Sequence, residues 1–330
     1  MMRRALVIGI DDYATAPLNG CVADANSIAD LLERNGDGSP NFNVRRLISS
    51  DEAVNTDILA SQIEDLFKGD ADTVVLFFAG HGIINPATNS GYIVSQNGSK
   101  GAWGVTLADI LAQANAAYPR ITSTVIILDS CHSGYAGEIQ ALANSNFAGI
   151  ATGVTILTAC HREGYAAESN GHGEFTGMLI DGLAGGCSDI QGRITPASLY
   201  AHIDQTLGPW DQRPMYKANV QSFISLRQVT PKIELTTLRK LKDYFPDPTH
   251  QFALDPSYEP ARDNVPPEII SIKPIEEHVR TFKELQACNR HGLVVPVDEE
   301  HMYYAAINSK SCRLTALGAH YRNLAATNRL

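Results

Sequence analysis

The sequence has little that would make it a metal ribbon, a membrane protein or a disordered chain. Its six cysteines, Cys21, Cys131, Cys160, Cys187, Cys288 and Cys312, form no CxxC pair, and none stands with histidines at zinc-finger spacing. Cysteines scattered over 330 residues fit a reducing compartment better than a disulfide framework. No apolar run approaches the ~18 residues of a membrane-spanning helix. Arg3 and Arg4 precede the apolar Ala5–Ile10, but that run is short and meets Asp11 and Asp12 without a small-residue cleavage site. A signal peptide is therefore not expected, and a cytoplasmic protein without a membrane partner is. Charged residues are 19% and hydrophobic residues 44%, which excludes a disordered chain and allows a sizeable core.

Acid is abundant and uneven. The net charge is −10. Residues 1–229 hold 13 basic against 23 acidic side chains, whereas residues 230–330 hold 13 of each. An acidic body repels nucleic acid and attracts cationic substrates, and balanced charge in the C-terminal stretch argues against strong DNA binding there.

Strand-like and helix-like segments alternate over the first 230 residues. Short apolar runs at Ala5–Ile10, Thr73–Phe78, Thr124–Leu128 and Thr155–Thr158 predict strands buried on both faces, with a weaker strand at Val44–Ile48 and a last one at Val220–Leu226. Helical spacing predicts helices over Asp24–Asn35, Thr56–Phe67, Leu107–Ala117, Phe175–Leu183 and Thr195–Leu207. This alternation predicts an α/β fold, a mostly parallel sheet with helices on both faces. Residues 229–273 carry seven prolines and read as a connector. Helical periodicity returns at Glu276–Arg290 and Glu299–Ile307, then a strand-like Cys312–Leu317 and a final helix Gly318–Ala325. The expected division is therefore 1–228, 229–273 and 274–330.

Two polar, glycine-bearing punctuations follow buried strands: Ala79-Gly80-His81-Gly82 and Asp129-Ser130-Cys131-His132-Ser133-Gly134. Ligands in open parallel sheets bind beyond the carboxyl ends of strands, so two such ends can deliver an imidazole and a thiol to one rim although 50 positions separate them. The imidazole promotes the reactive thiolate and later protonates a leaving amine. His81 and Cys131 are thus the catalytic candidates. The amide groups of Gly82 and Cys131 are oxyanion-hole candidates. His132 adjoins Cys131 on a turn and would point elsewhere. Cys160 and Cys187 lack such a context and read as small buried hydrophobes.

The stretch Val74–Gly82 (VVLFFAGHG), followed by Ile126–Gly134 (IILDSCHSG), resembles the two signature segments of metacaspases and their bacterial relatives. ALVIGIDDY at 5–13, LNGCVADA at 18–25 and GHGEFTGMLIDGLAG at 171–185 resemble the same family, so the likeness covers roughly 1–226. It implies a caspase-like fold and a cysteine endopeptidase. It also implies that Cys21, Asp24 and Asp129 line the first specificity pocket, which would take Arg or Lys before the scissile bond. Paired carboxylates favour a cation, and Arg can be held by two hydrogen bonds. As local structure, Asp24 could instead cap a helix and Asp129 could orient its turn. The family often has Ser two residues before the histidine, where this chain has Ala79.

Many metacaspases need calcium, yet Ser95–Val105 holds no acid and Glu138 is the one acid shortly after Cys131. No metal and no cofactor are expected. Residues 132–161 contain no Lys or Arg, so self-cleavage there is not expected. The 274–330 module, whose LTALGAHYRNLA resembles the end of winged-helix domains, is read as a regulatory, partner-binding unit. The function expected is cleavage of protein or peptide substrates after Arg or Lys by a Cys-His dyad. Resemblance to bacterial relatives implies regulated cell death or stress defence. The alternatives are a catalytically idle scaffold and a DNA-binding regulator acting through the C-terminal module.

Overall fold

Buried apolar runs become strands here because both of their faces are covered. A computed structural model describes residues 2–85, 88, 90–130, 149–159, 168–169, 172–208, 213–262 and 265–330. The described chain divides into two units, 1–188 with 192–230 and 189–191 with 231–330.

The first unit begins β1 (Arg3–Gly9), α1 (Cys21–Glu33), β2 (Asn43–Ile48), α2 (Thr56–Leu66) and β3 (Ala71–Ala79). An antiparallel excursion follows, β4 (Gly82–Asn85), β5 (Ser90–Ser99) and β6 (Ala102–Thr106), before α3 (Leu107–Ala117), β7 (Ile121–Asp129) and β8 (Val154–Thr158). Then come β9 (Glu168–Ser169), β10 (His172–Gly173), α4 (Glu174–Asp181), β11 (Arg193–Ile194), α5 (Pro196–Thr206), β12 (Met215–Asn219) and β13 (Arg227–Gln228).

Among the described residues the central sheet runs β12-β8-β7-β3-β1-β2. All its pairings are parallel except β12 with β8. Side chains alternate between the faces. Leu6, Ile8, Leu76, Phe78, Ile126 and Leu128 pack under α2 and α3. Val7, Val75, Phe77, Val125 and Ile127 pack under α1, α4 and α5. Each fully buried side chain of this size contributes about 1.5–3 kcal/mol. The chain runs outward from β1 to β2, then crosses back to β3 on the other side of β1. That reversal makes the carboxyl ends of β1 and β3 the switch point of the sheet, where open α/β folds leave a crevice.

The expected mostly parallel α/β fold is what forms, with local differences. α1 starts at Cys21, three residues before its expected start, because the Asp11 carboxylate reaches across the β1–α1 loop to accept the amides of Cys21 (2.9 Å) and Val22 (3.2 Å). The β4–β5–β6 sheet was not expected from 82–106, whose apolar residues are too interrupted by glycine and serine to read as strands. The last strand of the central sheet is Met215–Asn219, not Val220–Leu226. The former pairs along β8, while Val220 and Phe223 stay exposed.

The second unit holds α6 (Leu235–Tyr244), β14 (Gln251–Ala253), α7 (Pro267–Ser271), α8 (Glu276–Arg290), β15 (Val294–Val297), α9 (Met302–Ile307), β16 (Ser311–Leu314) and α10 (Ala316–Ala326). β14 and β15 both pair antiparallel with β16. Leu238, Leu241 and Phe245 join Phe282, Leu285, Leu293, Cys312 and Tyr321 in one core. The stretch 229–273 is therefore not a connector. Its residues Ile233, Leu238, Leu241, Phe245, Leu254 and Tyr258 belong to that core, and two of its prolines open elements, Pro256 a 3-10 turn and Pro267 α7. Among the described residues no helix is long and apolar enough to cross a membrane.

α1 lies directly on β1 at Gly9, where a Cβ would stand 2.4 Å from the Cys21 carbonyl oxygen and 2.7 Å from the Ala25 Cβ. Gly9→Ala is expected to cost roughly 1–3 kcal/mol by overpacking. It should lower the thermal unfolding midpoint of the first unit by several degrees, at about 2–4 °C per kcal/mol. An unchanged midpoint by calorimetry would show that α1 does not rest on that position.

Candidate active site

β3 and β7 end in register, with Ala79 paired to Asp129, and Gly80 donates its amide to the Asp129 carbonyl at 3.2 Å. His81 stands two residues beyond Ala79. Cys131 stands two residues beyond Asp129, and it lies outside the described residues, as do His132 and Cys160.

The imidazole of His81 is held through one nitrogen. Its Nε2 lies 2.7 Å from the carbonyl oxygen of Ala16, in the loop between β1 and α1. A carbonyl only accepts, so Nε2 carries the proton and Nδ1 carries the lone pair of the neutral ring. That is the tautomer a base needs when its working face is Nδ1. The same loop brings Tyr13 against the ring, with centroids 4.5 Å apart. Gly82 opens β4 opposite Ile93.

A second cluster forms on the α1 side. Asp24 is only 2% exposed, and its Oδ2 accepts the Gly173 amide at 3.2 Å. Asp129 Oδ2 accepts the Thr176 hydroxyl at 2.6 Å. A Cβ on Gly173 would stand 3.0 Å from Asp129 Oδ2 and 3.3 Å from Asp24 Oδ2, so both carboxylates converge on this glycine. Asp24 sits one turn inside α1, whose cap position is Gly20, so the helix-cap reading of Asp24 does not hold. The Cys21 thiol lies among these acids. Burial, then the Asp11, Asp129 and Asp24 carboxylates, pushes its pKa far up, so it stays protonated.

The structure thus gathers Cys21, Asp24 and Asp129 in one acidic cluster, and sets His81 just past the end of the strand that pairs with the one carrying Asp129. Sequence reasoning gave no role to Asp11, Tyr13, Ala16, Gly173 or Thr176. Asp11 and Tyr13 were visible within ALVIGIDDY, and Gly173 and Thr176 within GHGEFTG, but nothing local announced whom they touch. Ala16 acts through its backbone, which leaves no signature in side-chain chemistry. Among the described residues, no group of three or more His, Cys, Asp or Glu is placed to hold a metal ion.

A family model described as the caspase domain matches residues 2–227. Protein GSU0716 from Geobacter sulfurreducens is similar at 17% identity over 70% of this chain and 98% of its own, with a TM-score of 0.47. Caspase-1 from Spodoptera frugiperda is similar at 11% identity over 69% of this chain and 90% of its own, also with a TM-score of 0.47. No curated protein matches the chain.

A thiol held protonated reacts slowly with alkylating agents. Cys21 is expected to remain unmodified when the native protein meets iodoacetamide at pH 8, and to react fully after denaturation. Peptide mass mapping reads both states. Fast native labelling of Cys21 would mean that the surrounding acids do not suppress its thiolate.

Proposed function

The chain belongs to the caspase family, and on that premise we propose that it is a cysteine endopeptidase cleaving after Arg or Lys, with Cys131 as nucleophile and His81 as its proton-transfer partner. The carrying observation is the rung pairing Ala79 with Asp129. In sequence, His81 and Cys131 each follow that rung by two residues, and the rung joins neighbouring parallel strands. The Ala16 carbonyl supports the base role by leaving Nδ1 as the proton acceptor.

In this reading Nδ1 draws the proton from the Cys131 thiol. The sulfur attacks the carbonyl carbon before the scissile bond, and its oxygen gains negative charge. The amides of Gly82 and Cys131 stabilise that oxygen. Collapse breaks the C–N bond, His81 returns the proton to the leaving amine, and a thioester remains. A water activated by the same imidazole releases the acid and restores the thiol.

Asp24 and Asp129 supply the specificity. Two carboxylates converge on Gly173, and an entering guanidinium or ammonium group would gain charge-assisted hydrogen bonds to them. Protein substrates with basic residues in exposed loops fit this pocket, and regulated cell death or stress defence would be the setting. No metal or other cofactor takes part. The module at 274–330 is read as the contact point for a regulatory partner. In support, the second unit that contains it has a core of its own.

Fluorogenic peptides differing in the residue before the cleaved bond test this reading, assayed with a chelator present. Turnover is expected for Arg and Lys peptides and not for Asp peptides. Cys131→Ala should abolish it, and His81→Ala should lower it about 10²–10⁴-fold. Asp24→Ala should raise KM for Arg peptides, with kcat/KM falling about tenfold or more for a lost charged hydrogen bond. A preference for Asp peptides would overturn the specificity. Full activity of Cys131→Ala would overturn the nucleophile.

A further inference from the structure

Tyr13 is only 7% exposed, and its hydroxyl is committed twice. The oxygen accepts the backbone N–H of His81 at 3.0 Å, and its proton goes to the carbonyl of Val94 at 3.1 Å. Val94 in turn donates its own amide to the His81 carbonyl at 2.9 Å. Three hydrogen bonds therefore close a ring through Tyr13, His81 and Val94, and His81 is tied at both of its backbone polar groups. The phenol ring also lies against the imidazole, at an interplanar angle of 54°. Turn bonds from Tyr13 N and Leu18 N to the Asp11 carbonyl, each 2.9 Å, fix the loop that carries the ring.

Gly80 takes a different meaning from this contact. A Cβ there would stand 2.6 Å from the Tyr13 hydroxyl oxygen and 2.8 Å from the Phe78 ring. The glycine before the histidine thus leaves room for the tyrosine hydroxyl, apart from any closeness to substrate. Burial raises the phenol pKa, so the proton that reaches Val94 stays in place across the working range.

We propose that Tyr13 is a positioning residue for His81: it sets the height and tilt of the imidazole over the strand ends through the Tyr13–His81–Val94 ring. The proposal rests on the reading of His81 as the proton-transfer partner. The ring constrains the backbone, and the Ala16 carbonyl constrains Nε2, so two points of one loop hold the histidine from two sides. A proton must pass between Nδ1, sulfur and leaving nitrogen, and a misplacement of an ångström at such a step costs on the order of 10²-fold in rate.

Tyr13→Phe in the full chain keeps the ring and removes the hydroxyl. Its kcat for an Arg peptide is expected to fall about 10- to 100-fold, with KM unchanged. Gly80→Ala keeps the hydroxyl but displaces it, and the same kcat loss is expected. Spectra of protein with 15N-labelled histidine provide a readout independent of turnover, the His81 signal being identified by its loss in His81→Ala. Wild type should show the Nε2–H tautomer alone, and Tyr13→Phe a mixture of tautomers. Tyr13→Phe with wild-type kcat and an unaltered His81 signal, whatever its melting temperature, would overturn the proposal. If the wild type cleaves no basic peptide, the peptidase reading falls, and the imidazole spectra alone still decide for or against Tyr13.

Discussion

The candidate site depends on one register, the parallel pairing that sets Ala79 of β3 level with Asp129 of β7. Parallel strands bring their carboxyl ends to a common edge, and the chain reversal beside β1 keeps that edge open. β3 runs through buried apolar residues to Ala79 and β7 through buried apolar residues to Leu128, with the half-buried Asp129 at its end. A slip by one residue would turn Phe77 and Phe78, both fully buried, onto the wrong faces. The hydrophobic core therefore enforces the alignment on which the proposed chemistry depends.

The loop between β1 and α1 connects the two halves of the site. Asp11 caps the start of α1 and so carries Cys21 and Asp24, while Tyr13 and the Ala16 carbonyl hold His81. Burying acids side by side is unfavourable unless each is hydrogen-bonded. The Gly173 amide and the Thr176 hydroxyl are among the donors that meet that need for Asp24 and Asp129. One short segment thus touches both the acidic cluster and the His81 imidazole.

Much of this was legible in the sequence because it is local. The apolar runs of β1, β3, β7 and β8 identify themselves, and Leu107–Ala117 forms a helix over the range its spacing predicts. The Gly-His-Gly and Asp-Ser-Cys segments stand out in the sequence by contrast with the apolar runs before them. What was not legible is non-local or carried by backbone. Asp11 reaches ten residues ahead to lengthen α1, and Tyr13 lies 68 residues from His81. In 229–273 the prolines mask apolar residues such as Leu238, Leu241 and Phe245, whose burial needs the helices and strands that come after them.

The central claim is that one cysteine, Cys131, attacks carbonyl groups that follow a basic side chain. Covalent capture tests it most directly. A peptide chloromethyl ketone with arginine next to the reactive group should alkylate the native protein once, with loss of chloride, and peptide mapping should find the adduct on Cys131. The aspartate counterpart should react far more slowly. An adduct on Cys21 or another cysteine, or faster capture by the aspartate reagent, would contradict the account.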